Sequence, residues 1–357
     1  MNSRIERILK QLPDGIDAVL ITSEVHRQYF TGFQSSAGTL LMIKNAGAYF
    51  IIDFRYYEKA RAVVHDCNVI LQEKLSAQLA ELMKHHSLVN IAIESEYMTI
   101  SEFSRFQELL PDVSFIPNKQ VDQAIRRMRM IKSSEELASI RAAQKITDDA
   151  FQNICNYIRP GMTEKEIACE LLDYTNRHGS ERPSFEFIVV SGANSSIPHG
   201  VPTDKPVEPG DLITMDFGCV VDGYCSDMTR TVAVKAVSEK QKLIYDTVLK
   251  AQLAAIQAIK AGIPCKDVDA AARNLITDAG YGSCFGHSTG HSVGLEIHER
   301  PAFSMADDTI CEPGMVITVE PGIYLEGQFG VRIEDMALVT GSGCSVLTGS
   351  AKQLIVV

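Results

Sequence analysis

The stretch DLITMDFGCVVDGYCSDMTRT, residues 211–231, decides the fold of the second half of this chain. It predicts two short β-strands around a tight turn at Val221-Asp222-Gly223, because an Asp-Gly dipeptide between apolar runs is a strong hairpin signal. A two- or four-residue loop places Asp216 and Asp227 on one face, opposite each other or one pair out of step. Since facing carboxylates repel and burying an unpaired charge is costly, a cation is expected between them. The alternative is two aspartates on a solvated sheet face.

An internal repeat places this hairpin in a duplicated domain. The segment IRPGMTEKEI (158–167) is echoed by IKAGIPCKDV (259–268), and each closes one helix and opens the next. VEPGDLITMDFG (207–218) is then echoed by CEPGMVITVEPG (311–322). Two echoes in the same order with nearly equal offsets predict two related halves, each with helices followed by a hairpin.

A second hairpin repeats the acidic pair of the first. The runs VITVEPGIYL and VRIEDMALV flank a turn near residues 326–330, and they carry Glu320, which aligns with Asp216, and Glu334. An odd number of loop residues places both glutamates on one face. Packing the two halves together would then bring four carboxylates to one place.

Histidines lie between the two hairpins, in GYGSCFGHSTGHSVGLEIHERP (280–301). His287 and His291 would share a face of an extended chain, because side chains alternate with a period of two. His298 is seven residues beyond His291, so both point inward only if a bulge or turn near Gly294 interrupts the strand.

The four carboxylates and one imidazole would form a ligand set made mainly of hard oxygen donors. Two divalent ions balance four carboxylates, and such a set favours Mn²⁺, Co²⁺ or Fe²⁺, with Zn²⁺ possible, over a thiolate-type zinc site. Paired metals about 3.5–4 Å apart can share a hydroxide and polarise a carbonyl, as hydrolysis requires. Neither a Gly-x-Ser-x-Gly nucleophile elbow nor a Cys/His signature competes with this interpretation.

The first part of the chain has a different pattern. Its strand-like runs are AVLITS (18–23), GTLLMI (38–43), AYFIID (48–53), NVILQ (68–72), NIAIES (90–95) and VSFIP (113–117). They alternate with the helical runs RYYEKARAVVH, KLSAQLAELMKHH and ISEFSRFQELL, which predicts an α/β layer domain over residues 1–125. Residues 126–357 form the second domain, where Ser133 and Glu136 make a capping box before a long helix through about Tyr157.

Composition narrows the possible functions. A net charge of −11 argues against a nucleic-acid partner, because phosphate binding needs a concentrated basic surface. No apolar run approaches the roughly 20 residues of a membrane span. The nine cysteines form no CxxC pair, which indicates a reducing, cytoplasmic compartment.

These residues resemble a known family, the "pita-bread" metallopeptidases, which include methionine aminopeptidase, aminopeptidase P, Xaa-Pro dipeptidase (prolidase) and creatinase. In order along the chain, the residues that resemble the family's metal ligands are Asp216, Asp227, His291, Glu320 and Glu334. Supporting motifs are PHG (198–200), MDFG (215–218), SDMTRT (226–231), GHSTGHSVGLEIHERP (286–301), EPGIY (320–324) and GVRIED (330–335). The resemblance covers residues 126–357, while YFTGFQSSAG (29–38) and IIDFRYYEKA (51–60) resemble the amino-terminal domain of the proline-directed members. It implies an α+β "pita-bread" domain with a pseudo-two-fold duplication, which follows the α/β domain in the sequence.

The resemblance also implies a reaction. The chain would be a dinuclear-metal exopeptidase that hydrolyses the Xaa-Pro bond at the N-terminus of peptides, with a metal-bridging hydroxide as nucleophile. Asp227 would hold one metal and Asp216 both, while His291 and Glu320 would join the second metal. Glu334 would bridge the two ions, and Glu320 would accept the proton of the bridging water.

The remaining roles come from the same resemblance. His298 and His199 would steady the tetrahedral intermediate and the substrate carbonyl. His287 would line the substrate pocket. Arg332 resembles an arginine that orients the acidic ligands at the substrate site, and Thr229 would support it. A homodimer is also implied.

One departure from the family concerns substrate length. In some Xaa-Pro dipeptidases an arginine follows the His-Glu-x-Pro motif and clamps the carboxylate of the C-terminal proline. Ala302 occupies that position here, and the nearest basic residue is Arg300. This difference favours aminopeptidase P, which accepts longer peptides. Three alternatives remain open: a metal-free creatinase-like hydrolase, a non-catalytic pita-bread binding protein and a methionine aminopeptidase.

Overall fold

In the computed structural model, which describes residues 4–357, helices and strands alternate through a first unit that ends at Met128. Its elements are α1 (Arg4–Leu9), β1 (Ala18–Ile21), α2 (Glu24–Thr31), β2 (Thr39–Ile43), β3 (Gly47–Ile52), α3 (Phe54–Val63), β4 (Asn68–Leu71), α4 (Leu75–His85), β5 (Asn90–Ile93), α5 (Ile100–Leu109), β6 (Ser114–Pro117) and α6 (Lys119–Met130), which continues beyond the unit. The strands form one mixed sheet in the order β4-β3-β2-β1-β5-β6.

The burial of the two central strands shows that this sheet is covered on both faces. Every residue of β1 and β2 is buried, which fits their continuous apolar sequences AVLI and TLLMI. The pairs β1–β5, β5–β6 and β3–β4 are parallel, whereas β2 is antiparallel to both of its neighbours. The α/β alternation predicted from the sequence is therefore confirmed in this unit.

The helices α2 and α6 were not predicted from the sequence. α2 has a polar sequence, and its signal is the N-cap Ser23, whose side chain accepts a hydrogen bond from the backbone N–H of His26. α6 spans the point at which the sequence analysis divided the chain into two domains, between residues 125 and 126. The predicted boundary after residue 125 therefore lies inside a helix, and the second unit begins at Arg129.

The second unit, Arg129–Val357, consists of helix pairs and antiparallel strands. Its elements are α7 (Ser134–Tyr157), α8 (Glu164–Arg177), β7 (Ile188–Ser191), β8 (Leu212–Phe217), β9 (Val220–Val221), β10 (Tyr224–Cys225), β11 (Met228–Ala233), α9 (Glu239–Ala258), α10 (Cys265–Asp278), β12 (Gly290–Ser292), β13 (Glu299–Phe303), β14 (Val316–Val319), β15 (Gly322–Leu325), β16 (Phe329–Arg332), β17 (Asp335–Val339) and β18 (Cys344–Val346). The capping box predicted at Ser133 begins α7, and that helix ends at Tyr157 as expected.

Each helix pair covers one sheet. The pair α7 and α8 packs on the sheet β11-β8-β7, and the pair α9 and α10 packs on the sheet β13-β12-β14-β17-β18. In β8 the side chains of Ile213, Met215 and Phe217 join the core under the helices. Because strand side chains alternate, Asp216 points to the opposite face of the sheet.

The first hairpin turns at Asp222 and Gly223, where φ is 49° and 81°. Positive φ at both central residues is the signature of the tight hairpin turn that Asp-Gly predicts. Asp216 pairs with Thr229 across β8 and β11. Asp227 therefore lies on the same face as Asp216, one pair out of step, which is one of the two predicted arrangements.

The second hairpin has a three-residue loop, residues 326–328, between β15 and β16. The strand pair β15–β16 continues the register of the pair β14–β17, in which Val319 pairs with Asp335. Glu320 and Glu334 therefore lie directly opposite each other between the two ladders, as an odd loop length requires.

Two further expectations can be compared with the structure. The nine cysteines are unpaired thiols. In residues 4–357, no helix combines the length and the apolar character needed to cross a bilayer.

Candidate metal centre

Four carboxylates of the second unit converge where the strands of the two hairpins are interrupted. Asp216 lies near the end of β8, and Asp227 lies just before β11. Glu320 lies between β14 and β15, and Glu334 lies between β16 and β17. All four line one cavity of about 560 Å³. The structure thus brings together the carboxylates that the sequence placed on two separate hairpins.

His291 completes this cluster from β12. Its Nε2 lies 3.3 Å from Oε1 of Glu320 and 3.5 Å from Oδ2 of Asp227. Potential ligand atoms of Asp227, His291 and Glu334 all lie within 4.8 Å of one another. A single cation could therefore contact all three side chains without a large rearrangement.

Arg332 and Thr229 donate hydrogen bonds to two of the four carboxylates. Arg332 donates from Nη2 to Oδ2 of Asp216 at 2.7 Å and from Nε to Oγ1 of Thr229 at 3.0 Å. Thr229 in turn donates to Oε2 of Glu334 at 2.7 Å. The guanidinium is 3% exposed, so these contacts are shielded from water.

The two oxygens of Asp216 and of Glu334 are not equivalent. One oxygen of each carboxylate is held by Arg332 or Thr229, whereas Oδ1 of Asp216 and Oε1 of Glu334 are buried without a hydrogen-bond partner. A buried carboxylate oxygen without a partner is costly, and coordination of a cation removes that cost. The donor set therefore fits divalent metal ions.

The electrostatics of the cluster support the same conclusion. Burial and repulsion by the neighbouring carboxylates raise the pKa of Asp227 and of Glu334 well above their ordinary values. Burial, with a smaller contribution from Asp216, raises the pKa of Glu320 to about 8. One guanidinium cannot balance four buried carboxylates, so divalent cations would relieve the repulsion.

Two of the cavity histidines are held as neutral side chains. Burial lowers the pKa of His291 to about 4, which leaves its imidazole unprotonated and able to act as a ligand at neutral pH. Burial likewise lowers the pKa of His287 to about 4, and its Nε2 lies 2.9 Å from the hydroxyl of Tyr324.

The other two histidines face the cavity from more exposed positions. His199 and His298 both line the cavity. The rings of His291 and His298 are 4.4 Å apart between centroids. They meet because the register of β12 and β13 shifts after His291, and the backbone N–H of Gly294 bonds to Glu296 O. The predicted irregularity near Gly294 is therefore confirmed.

A buried ion-pair network supports the turn that carries His298. Glu299 accepts from Nη2 of Arg129 at 2.6 Å and from Nζ of Lys132 at 2.9 Å. A Cβ added to Gly294 would lie 2.5 Å from Oε1 of Glu299, so a larger residue there would displace this ion-paired carboxylate. The sequence analysis did not identify this network.

Tyr324 belongs to the motif EPGIY, and no role for it was predicted from the sequence. Its hydroxyl accepts from Nη1 of Arg332 at 2.9 Å and also contacts His287. A Cβ on Gly322 would lie 2.6 Å from that hydroxyl. The spacing Gly-x-Tyr after Glu320 could have indicated a tyrosine that folds back onto the site.

The position that follows the His-Glu-x-Pro motif also lines the cavity. Ala302 contributes to its wall, whereas Arg300 is exposed and is not one of the lining residues. Arg332 is the one lysine or arginine among the described residues that line this cavity. Most of the remaining wall is apolar, with Phe185, Phe187 and Ile297 among its members.

Known proteins are similar to this chain in both sequence and fold. The profile of metallopeptidase family M24 matches residues 138–341, and that of the Creatinase/Prolidase N-terminal domain matches residues 4–131. An Xaa-Pro dipeptidase of Pyrococcus horikoshii is 38% identical over 357 residues, 99% of either chain. The structure of an Xaa-Pro dipeptidase from Bacillus anthracis has a TM-score of 0.95 at 42% identity and covers 99% of both chains. An X-Pro aminopeptidase from Thermotoga maritima has a TM-score of 0.91 at 38% identity, over 96% of this chain and 98% of that one.

Proposed function

Because this chain belongs to metallopeptidase family M24 and is a metal-dependent hydrolase, we propose that it hydrolyses the bond between the first residue of a peptide and a following proline. The observation that carries the proposal is the buried carboxylate cluster at one wall of a largely apolar cavity. The names of the relatives, Xaa-Pro dipeptidase and X-Pro aminopeptidase, support the same substrate class.

The metal centre of this proposal holds two divalent ions, most simply Mn²⁺, with Co²⁺, Fe²⁺ or Zn²⁺ as alternatives. Its ligands are the five side chains that meet in the cavity: Asp216, Asp227, His291, Glu320 and Glu334. When bound to these side chains, such ions would supply an activated water molecule and a Lewis acid for the scissile carbonyl. Arg332 and Thr229 fix the orientation of the carboxylates that hold them.

The side chains around the centre have separate roles in this proposal. Glu320, whose Oε1 lies 3.3 Å from Nε2 of His291 in the cluster, accepts a proton from the attacking water. His199 and His298 hydrogen-bond the carbonyl oxygen as it acquires charge. His287, neutral and bonded to Tyr324, lines the pocket for the substrate.

Proline fits the apolar wall for a simple physical reason. Its ring offers hydrocarbon surface, and its nitrogen carries no hydrogen when it forms a peptide bond. Phe185, Phe187 and Ile297 offer the ring an apolar contact surface. These side chains have no hydrogen-bond acceptor, so the missing N–H of the proline leaves nothing unpaired there.

The hydrogen bonds that Arg332 already makes favour substrates longer than two residues. Its nitrogens already bond Asp216, Thr229, Tyr324 and the carbonyl of Pro198. A dipeptide would place the free carboxylate of its proline in the cavity, where four of the five N–H groups of Arg332 are already used and only one, on Nη2, remains. An internal proline, as in an aminopeptidase substrate, carries no such charge.

A substrate series tests this function. We expect Mn²⁺- or Co²⁺-loaded protein to release the first residue from Xaa-Pro-Yaa tripeptides with kcat/KM about tenfold higher than from Xaa-Pro dipeptides, since one unpaired carboxylate costs about 1.4 kcal/mol or more. Xaa-Ala-Yaa peptides are the control, and liberated amino acid is quantified by chromatography. Turnover of neither proline series by metal-loaded protein contradicts the function, whereas faster dipeptide turnover contradicts only the length preference.

The same assay separates the alternatives. A creatinase-like reaction without metal predicts activity that survives a chelator, and a methionine aminopeptidase predicts release of Met from Met-Ala peptides. A non-catalytic binding protein predicts no turnover of any of these peptides. We expect activity that depends on metal and on proline.

Three further expectations accompany the proposal. We infer that the second unit consists of two related halves, an idea supported by the repeated order of a long helix, a helix of 14 residues and antiparallel strands. We expect a homodimer, by resemblance to the family. The nine unpaired cysteines fit a reducing, cytoplasmic compartment.

A further inference from the structure

The cavity wall that carries His199 is a long connection rather than a strand or helix. It runs from Ser191 at the end of β7, through a 3₁₀-helix at Gly192–Ser196, to Thr203, and we call residues 191–203 the His199 loop. Five consecutive residues of this loop, 198–202, line the cavity. The position of His199 therefore depends on whatever fixes the two ends of the loop.

Both ends of the His199 loop are bound to one buried carboxylate. Glu164, at the first position of α8, has no exposed surface. Its Oε1 accepts from the backbone N–H of Ser191 at 2.6 Å and from the Ser191 hydroxyl at 2.9 Å. Its Oε2 accepts from the backbone N–H of Thr203 at 3.0 Å and from the Thr203 hydroxyl at 2.6 Å. Asn194 donates to both oxygens, at 3.1 and 3.2 Å.

Neutral donors make all of these contacts, which is unusual for a buried charge. The nearby Lys205 donates to the Ser191 hydroxyl at 3.0 Å and to Asp211 at 2.6 Å rather than to Glu164. The position of Glu164 at the helix N-terminus compensates in part, because backbone N–H groups there favour negative charge. A charge held in this way orders a loop more strongly than a neutral acceptor would.

The middle of the same loop bonds to the strands that hold the metal centre. The carbonyl of Pro198, next to His199, accepts from Nη1 of Arg332 at 3.2 Å. The hydroxyl of Ser195 accepts from the backbone N–H of Gly330 at 2.9 Å. Glu164 and Arg332 thus fix the loop from two sides through residues other than His199.

We propose that Glu164 is a positioning residue that holds His199 at the cavity by binding both ends of the His199 loop. Its catalytic consequence rests on the proposed function, in which His199 bonds the substrate carbonyl. Its structural consequence, an ordered loop, does not depend on that function. The two consequences can therefore be tested separately.

The test compares Glu164→Gln with Glu166→Gln. Glu166 lies two residues further along α8, is exposed and completes the capping box with Thr163, at 2.7 and 3.0 Å. Both substitutions are isosteric and remove one charge from the same helix terminus. In Glu164→Gln an amide NH₂ replaces one acceptor and faces donors of the loop, whereas glutamine preserves the capping box at residue 166.

Hydrogen exchange of peptides covering residues 191–203 is the first measurement. We expect faster exchange in Glu164→Gln than in the parent protein and unchanged exchange in Glu166→Gln. Unchanged exchange in Glu164→Gln overturns the proposal, whatever the protein hydrolyses. If Glu164→Gln does not fold, Thr203→Val removes one hydroxyl donor and is expected to produce a smaller increase in exchange. No increase in that variant overturns the proposal equally.

A double-mutant cycle is the second measurement. With metal-loaded protein and Xaa-Pro-Yaa peptides, we expect Glu164→Gln to lower kcat by about 10- to 100-fold and to change KM by less than about threefold. Adding Glu164→Gln to His199→Ala should lower kcat no further, because the loop then has no histidine to position. An equal loss of kcat with and without His199 contradicts the positioning role. Failure of the parent protein to turn over the peptides contradicts the proposed function instead and leaves the exchange experiment decisive for the loop.

Discussion

Replacing Glu334 by glutamine is expected to abolish tight binding of divalent metal and to lower kcat/KM by at least about 10³-fold, or about 4 kcal/mol of transition-state stabilisation. Oε2 of Glu334 is held by Thr229, and its buried Oε1 has no hydrogen-bond partner. That free oxygen is the one available for a metal ion. Glutamine preserves the shape of the side chain but removes the charge that a divalent ion requires.

The same substitution should stabilise the protein once its metal is stripped. Burial and the charges of Glu320 and Asp216 raise the pKa of Glu334, so the metal-free fold must either protonate this carboxylate or hold it against repulsion. An amide carries neither cost. We therefore expect the thermal midpoint of the metal-free protein to rise in Glu334→Gln, as measured by calorimetry in the presence of a chelator.

Glu326→Gln is the matched control for both measurements. Glu326 lies at the turn of the same hairpin, is exposed and does not line the cavity. We expect it to leave metal binding, kcat/KM and the thermal midpoint unchanged. A Glu334→Gln protein that binds metal and turns over substrate like the parent would show that Glu334 is not a ligand.

The largest effect on stability is expected at a site behind the metal centre, from Arg230→Met. Arg230 is 1% exposed and donates from Nη2 to Oδ1 of Asp335 at 2.7 Å. It also donates to the carbonyls of Ser350 and Ala351, at 2.8 and 3.0 Å, and so ties the C-terminal segment to β11 and β17. Methionine fills a similar volume but leaves the fully buried Asp335 without this partner.

Removing one member of a buried ion pair costs about 3–5 kcal/mol, because the remaining charge stays buried. Lys352 and Gln252 still contact Asp335, so we expect the lower end of this range, about 3 kcal/mol. Denaturant unfolding of the metal-free protein, followed by circular dichroism, measures the loss. Arg177→Met is the control, because Arg177 pairs with Asp173 on the exposed face of α8 and such pairs contribute at most about 1 kcal/mol. A loss of less than about 1 kcal/mol in Arg230→Met would contradict this role of the buried pair.

Local patterns were sufficient to predict the two hairpins and their acidic residues. The turn at Asp222-Gly223 defines the register of the first hairpin, and the register places Asp216 and Asp227 on one face. Similarly, the three-residue loop after Leu325 places Glu320 opposite Glu334. In both cases the determining interactions lie within about 20 residues of sequence, so a strand period of two and a turn type were enough.

The contacts that support the site could not be predicted from local sequence patterns. Glu164 binds residues up to 39 positions away, and Thr229 binds Glu334 across 105 positions. No periodicity links such residues, because their proximity arises only when separate elements of the fold pack together. The polar helix α2 was missed for a related reason, since its N-cap at Ser23 is a weak signal without an apolar stripe. The sequence therefore indicated the candidate ligands, and the family resemblance indicated Arg332 and Thr229, whereas the roles of Glu164 and Tyr324 required the structure.

The central claim is that Asp216, Asp227, His291, Glu320 and Glu334 together hold two divalent ions. Anomalous diffraction at the manganese edge, from crystals of active protein grown with Mn²⁺, tests it most directly. We expect two manganese peaks, each in contact with side chains of this set, and the loss of both peaks in Glu334→Gln crystals. Two peaks at other side chains, or an active protein with no manganese at these five residues, would contradict the account.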